Sequence, residues 1–168
     1  MAGDPAGSHL EYPDMPAWNE AQANDIIRRH ANREGALLPI LHDIQAAFGH
    51  VPAQAVPVIA HALNLTRAEV HGVVSFYHDF RDKPAGRHVL KLCRAEACQA
   101  AGGDALAARA EAKLGVSLGH TTADDRVTLE PIYCLGLCAT APSAMLDGRL
   151  IGRLDEKRID ALVAEAQR

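Results

Sequence analysis

Apolar residues in the first half of the chain recur with the period of an α-helix. Leu37, Leu41, Ile44 and Phe48 are spaced as on one helical face. Gly49 follows at the position where a glycine commonly ends a helix. This pattern predicts a helix that buries one face and stops at Gly49.

Two further helices are predicted before residue 80. The apolar stripe of the first consists of Val58, Ile59, Ala62 and Leu63. The second begins at Thr66 and Glu69, which have the spacing of a capping box, and its apolar face runs from Val70 to Tyr77. We therefore expect residues 19–80 to form a bundle of three or four short helices.

The pattern changes at the turn formed by residues 82–86. His88–Cys93 is predicted to be a short strand that ends on a cysteine, and Ala100–Leu114 an alanine-rich helix closed by Gly115. Val127–Tyr133 alternates like a strand, and Pro131 indicates that its end lies at a sheet edge or a bend.

A hairpin and a helix complete the predicted elements. Asp147-Gly148 is a strong type I′ turn signal between two short strands, Ala144–Leu146 and Arg149–Ile151. Asp155 is a plausible N-cap for a last helix with an apolar face at Ile159, Leu162 and Val163. The order strand, helix, three strands, helix predicts a small mixed sheet covered by helices, and the chain as a whole an α+β fold.

Composition places the chain among soluble globular proteins. It has 168 residues, of which 48% are hydrophobic, and no apolar run approaches the roughly 20 residues that span a bilayer. The N-terminus lacks the basic and apolar segments of a secretory signal, so we expect a cytoplasmic protein. Residues 1–17 are rich in glycine and proline and are expected to form a flexible arm.

All four cysteines lie in the second half, as the pairs Cys93/Cys98 and Cys134/Cys138. Each pair follows directly after a predicted strand. If the two strands are neighbours in one sheet, all four thiols meet at one edge, which suits a [2Fe–2S] cluster in which each iron takes two thiolates. Gly136 permits a tight turn between the second pair, and a helix predicted to begin near Cys98 would add its positive end.

Other chemistries remain open for four cysteines. Structural zinc accepts four thiolates, but two-residue spacers are its commonest pattern and these spacers are longer. Disulfides would need an oxidising compartment, for which the sequence gives no indication. The spacing of plant-type ferredoxins is not met.

Two further function classes find little support. Residues 55–77 resemble a helix-turn-helix, but residues 1–80 contain four arginines against nine acidic residues, which is unsuited to phosphate contacts. A thiol oxidoreductase would need a Cys-x-x-Cys motif, which the chain lacks. We expect no catalytic centre in this chain alone, and a helical half that serves as a docking surface.

The cysteine pattern, with the second pair set in YCLGLCATAP, resembles the thioredoxin-like [2Fe–2S] subunits of respiratory complex I. The segments LPILHDIQAAFGHVP and LNLTRAEVHGVVSFYHDF are similar to the same family, and the resemblance covers roughly residues 19–165. Within this family, the chain looks most like the gamma subunit of NAD-dependent, molybdenum-containing formate dehydrogenases, in the segment HVLKLCRAEACQAAGG and at residues 77–81. Complex I and the diaphorase part of bidirectional hydrogenases are the alternatives.

The resemblance implies a helical bundle over residues 18–81 that docks to a partner, followed by a thioredoxin-like domain over residues 86–168. Cys93 and Cys98 would bind one iron, and Cys134 and Cys138 the other. The implied partner is a subunit with FMN and [4Fe–4S] clusters that binds NAD. Electrons would pass between its flavin and the cluster of this chain, with formate oxidised on a separate molybdenum subunit.

Overall fold

A computed structural model describes residues 17–168, and the chain divides into two compact units at Pro84/Ala85. The arm predicted for residues 1–17 lies outside the described residues except for Ala17. The first unit therefore comprises residues 17–84 as described here, and the second comprises residues 85–168.

The first unit is a bundle of four helices, as the apolar periodicity predicts. They are α1 (Glu20–His30), α2 (Leu37–Phe48), α3 (Ala55–Ala62) and α4 (Arg67–Phe76). Side chains from all four make its core, including Ile26, Ile40, Ile59 and Val70.

Helix boundaries in this unit follow local sequence signals. Gly49 ends α2 in the left-handed conformation, with φ of 74°, a geometry that glycine adopts at little cost. The predicted capping box starts α4: the Glu69 N–H donates to the Thr66 hydroxyl, and the Thr66 N–H donates to the Glu69 carboxylate. The stripe predicted for α3 is confirmed at Ile59, which is buried, and wrong at Ala62, which is exposed; the other buried residues of this helix are Ala55 and Ala60.

The second unit contains a five-stranded mixed sheet. Its strands are β1 (His88–Cys93), β2 (His120–Thr121), β3 (Val127–Ile132), β4 (Ala144–Leu146) and β5 (Arg149–Ile151). Their order across the sheet is β2-β3-β1-β4-β5. The central strand β1 is parallel to β3 and antiparallel to β4. This arrangement confirms the predicted α+β class and the small mixed sheet.

Three helices belong to this unit: α5 (Glu96–Ala100), α6 (Gly103–Leu114) and α7 (Glu156–Ala166). Helices α6 and α7 pack against each other and against β1. Their apolar faces join the sheet in one core that includes Leu90, Leu129, Ala110 and Ile159. Asp155 caps α7 as predicted, by accepting from the Arg158 N–H.

The second unit departs from the sequence prediction in two elements. The helix predicted over 100–114 begins at Gly103 instead of Ala100, because Gly102 takes a left-handed φ of 88°, and Ala100 is the last residue of the separate short helix α5. The edge strand β2 is absent from the prediction, because it is only two residues long and two residues carry no periodicity. The Asp147-Gly148 turn is confirmed, with φ of 50° and 85°.

Along residues 17–168, every helix is too short or too polar to cross a membrane.

Candidate metal centre

The two cysteine pairs meet at one end of the sheet because β1 and β3 run in the same direction. Cys93 is the last residue of β1 and lies opposite Ile132, the last residue of β3. The Arg94 N–H donates to the Ile132 carbonyl at 2.8 Å, which extends the pairing one residue beyond the strand. Cys134 follows Ile132 by two residues, so the loop that bears it starts beside Cys93.

Cys98 lies in the short helix α5 and is 1% exposed, whereas the sequence predicts a loop at the start of a long helix. Its backbone N–H donates to Ala95, whose extended conformation begins the helix. A Cβ at Gly103 would stand 2.6 Å from the Cys98 carbonyl oxygen. The glycine therefore lets the chain pass closely over this cysteine on its way into α6.

The second pair is held by a tight loop. Cys134 has a φ of 97° and Gly136 a φ of 76°, both in the left-handed region. The Gly136 N–H donates to the Cys134 Sγ at 3.3 Å, as the turn predicted at this glycine requires. The Sγ atoms of Cys134 and Cys138 are 3.7 Å apart, and both side chains are exposed.

Hydrogen bonds and charge interactions connect the two cysteine pairs. Burial raises the pKa of Cys93, but hydrogen bonds from the Ala95 backbone, from Cys98 and from the backbone of the Cys134 loop outweigh it, so the pKa is lowered overall. The pKa of Cys138 is raised, first by its hydrogen bond and charge interaction with Cys134, then by burial and by the charges of Cys98 and Cys93. Each pair thus lies within electrostatic reach of the other.

A further residue of the site, Ser143, is absent from the sequence prediction. It is 2% exposed, its Oγ lies 3.5 Å from the Cys98 Sγ, and its carbonyl accepts the Cys93 N–H at 3.0 Å. Ser143 thus contacts both members of the first pair. A lone serine between a proline and a strand carries no sequence signal that would have found it.

The donor set fits an iron–sulfur cluster. All four side chains are thiols arranged as two pairs, with backbone N–H groups directed at sulfur, and such hydrogen bonds are among the features that tune these clusters. Among the described residues, no three His, Cys, Asp or Glu side chains are grouped closely enough to hold one metal ion.

Comparisons with known proteins agree with this donor set. The family model described as thioredoxin-like [2Fe–2S] ferredoxin matches residues 23–167. An NADH-quinone oxidoreductase subunit of Mycobacterium tuberculosis (strain ATCC 25618 / H37Rv) is 38% identical over 135 residues, which are 80% of this chain and 54% of the relative. The chain therefore spans about half the length of that relative.

Two other similar proteins have hydrogenase names. NADP-reducing hydrogenase subunit HndA of Solidesulfovibrio fructosivorans is 31% identical, over 92% of this chain and 91% of its own. The crystal structure of an NAD+-reducing [NiFe]-hydrogenase in the air-oxidized state matches with a TM-score of 0.67 and 34% identity, covering 78% of this chain and 22% of that one.

Proposed function

Because this chain belongs to the thioredoxin-like [2Fe–2S] ferredoxin family, we propose that it is an electron-transfer subunit of an NAD-linked oxidoreductase complex. The observation that carries the proposal is the meeting of two thiol pairs at the ends of the parallel strands β1 and β3. The cofactor of the family is a [2Fe–2S] cluster, and one such cluster uses four protein ligands.

The proposed ligands are the four cysteines, with Cys93 and Cys98 on one iron and Cys134 and Cys138 on the other. A bound [2Fe–2S] cluster supplies reversible one-electron transfer. The chain's own residues set the conditions: Cys93 and Cys98 are buried, while Cys134 and Cys138 are exposed. Electrons would therefore enter and leave on the side of the second pair, where a partner can approach closely.

The proposed redox partner is a subunit that carries FMN and [4Fe–4S] clusters and binds NAD. The relative named as an NADH-quinone oxidoreductase subunit and the similarity to an NAD+-reducing hydrogenase support this assignment. Such a partner would carry out the two-electron chemistry of the nicotinamide, and this chain would exchange single electrons with the flavin. Catalysis by this chain alone is not part of the proposal.

At the finer level, we propose the gamma subunit of an NAD-dependent, molybdenum-containing formate dehydrogenase. The support is the sequence around the first cysteine pair, where Arg94 and Glu96 stand in place of the small and hydroxylated residues usual in complex I. The second candidate is a complex I or hydrogenase subunit, which the names of the relatives favour. In each case the chain would work in the cytoplasm.

The helical unit is proposed as the docking surface. The last turn of α4 presents Phe76, which is 73% exposed, beside Tyr77, and the two rings meet edge to face at 5.1 Å. Aromatic side chains, phenylalanine and tyrosine included, are enriched at protein interfaces relative to the rest of the surface. Most of the Phe76 side chain is therefore accessible to a partner subunit, while Tyr77, 44% exposed, also contacts the buried Phe80 ring.

Affinity purification of the chain from its own host tests this function. A tag on the C-terminus should retain a flavin-containing subunit, and the complex should reduce NAD+ with formate if a molybdenum subunit is present. Retention of NADH-quinone oxidoreductase or hydrogenase subunits without a molybdenum subunit would select the second candidate. Purification of the chain with no flavin-containing protein would contradict the proposed partner.

A further inference from the structure

The buried hydroxyl of Ser143 faces the sulfur of a proposed cluster ligand. Its Oγ lies 3.5 Å from the Cys98 Sγ, and both side chains are shielded from solvent, at 2% and 1% exposure. As free groups, either the hydroxyl or the thiol could donate the hydrogen bond.

Ligation decides the direction of this hydrogen bond. A cysteine that binds iron does so as a thiolate, which has no proton to donate. If Cys98 binds iron, the Ser143 hydroxyl must therefore be the donor and the sulfur the acceptor. A hydrogen bond to a charged acceptor is roughly twice as strong as one between neutral groups, and the burial of both side chains preserves that strength.

Backbone contacts hold Ser143 next to the first cysteine pair. The Ser143 carbonyl accepts the Cys93 N–H at 3.0 Å, and Ser143 directly precedes β4, which pairs with β1. The serine is thus attached to the same central strand that carries the first ligand. The Ser143 backbone therefore keeps a fixed position relative to β1, and the side chain reaches the Cys98 sulfur from that position.

We propose that Ser143 tunes the reduction potential of the cluster by donating its hydroxyl hydrogen to the Cys98 sulfur. This inference rests on the proposed function, because it requires Cys98 to be a ligand. The reduced cluster carries one more negative charge than the oxidised one, and part of that charge resides on the thiolates. The hydroxyl dipole stabilises the reduced form more than the oxidised form and raises the potential.

Redox titration of Ser143→Ala, followed by EPR on the purified full-length chain, tests the inference. At a fixed applied potential, the ratio of reduced to oxidised cluster should fall about tenfold, which corresponds to a shift of about 59 mV to lower potential for one electron. Ser143→Thr keeps the hydroxyl and should stay close to the wild-type potential. Thr121→Val is the matched control, since it removes a half-buried hydroxyl that contacts Thr128 in the same sheet.

The outcomes separate this inference from the proposed function. A loaded Ser143→Ala variant with the wild-type potential would overturn the inference, and so would an equal shift in Thr121→Val. Should Ser143→Ala fail to load, Ser143→Gly provides a second variant without the hydroxyl. If neither Ser143→Ala nor Ser143→Gly binds the cluster while Ser143→Thr does, the hydroxyl is needed for cluster assembly. If none of the three variants binds the cluster, the packing of the side chain at position 143 is what the site requires. Either result overturns a tuning role. A wild-type chain without the [2Fe–2S] signal would reject the proposed function itself.

Discussion

Cys93 on β1 lies opposite Ile132 on the parallel strand β3, two residues before Cys134. This register brings together cysteines that are far apart along the chain and that we propose as ligands, because the carboxyl ends of neighbouring parallel strands lie at the same edge of a sheet. The proposed centre therefore depends on strand pairing as much as on the cysteines themselves.

Replacing Cys134 with serine should lower the iron content of the chain several-fold. A serine oxygen is a poorer iron ligand than a thiolate, and Cys134 contacts Cys138 at 3.7 Å and the Gly136 N–H at 3.3 Å. Iron and acid-labile sulfide per chain, measured after anaerobic purification, check this expectation.

Tyr133→Phe is the control for that substitution, because Tyr133 is the adjacent residue and is 73% exposed. It should retain wild-type iron. Equal iron contents in Cys134→Ser and Tyr133→Phe would show that Cys134 is not a ligand. Unfolding of the helical unit in Cys134→Ser would mean that the iron is lost through unfolding of the chain and not through loss of one ligand.

Removing the Thr66 cap should destabilise the helical unit by about 1 kcal/mol. In Thr66→Ala, the Glu69 N–H loses its acceptor and the Glu69 carboxylate keeps only the Thr66 backbone N–H. Urea denaturation followed by circular dichroism measures the change, with Thr66→Ser as the control that keeps the cap. Equal midpoints for the alanine and serine variants would be inconsistent with a stabilising capping box.

The ion pair between Arg109 and Asp160 predicts a specific dependence of stability on pH. Arg109 donates to both Asp160 oxygens, at 2.7 and 2.8 Å, and Lys113 lies at 3.2 Å. The hydrogen bond from Arg109 is the largest influence that lowers the pKa of Asp160 to about 2, below its usual 3.8. A depressed carboxyl pKa stabilises the folded state above the unfolded pKa, and this contribution is lost as pH falls from about 4 through about 2.

Asp160→Asn should therefore be less stable than wild type at pH 7, and the difference should shrink as the pH is lowered from about 4 toward 2. Denaturant midpoints measured across that range check the sign. Glu156→Gln removes a more exposed partner of Arg109 and should have a smaller effect. A difference between wild type and Asp160→Asn that stays constant down to pH 2 would contradict the assigned role of this pair.

Substituting Phe76 tests the proposed docking surface. Phe76→Ser removes an aromatic side chain that is 73% exposed, so the helical unit should keep its stability. Binding to the flavin-containing subunit should weaken about tenfold or more, as for an interface anchor. Leu150→Ser is the control, because Leu150 is an exposed apolar residue on the edge strand β5, and this variant should bind the partner with wild-type affinity. Equal affinities of the two variants for the partner would mean that Phe76 is not part of the docking surface.

Local signals predict those parts of the fold that depend on neighbours in sequence. The strand His88–Cys93 matches the structure because the change of pattern after the turn at residues 82–86 is visible in the sequence. The Asp147-Gly148 turn matches because its positive φ values favour such residues. A helix beginning near Cys98 is predicted, but its separation from α6 escapes prediction because α5 is five residues long, too short for periodicity to show. Ser143 escapes it because its importance depends on a contact with a residue 45 positions away.

The most direct test of the account is the metal and sulfide content of the anaerobically purified chain, together with its EPR spectrum after reduction by dithionite. We expect two irons and two acid-labile sulfides per chain, visible absorption that bleaches on reduction, and the EPR signal of one reduced [2Fe–2S] cluster. A colourless protein that holds one zinc, with no sulfide and no EPR signal, would contradict the assignment of Cys93, Cys98, Cys134 and Cys138 to a two-iron centre.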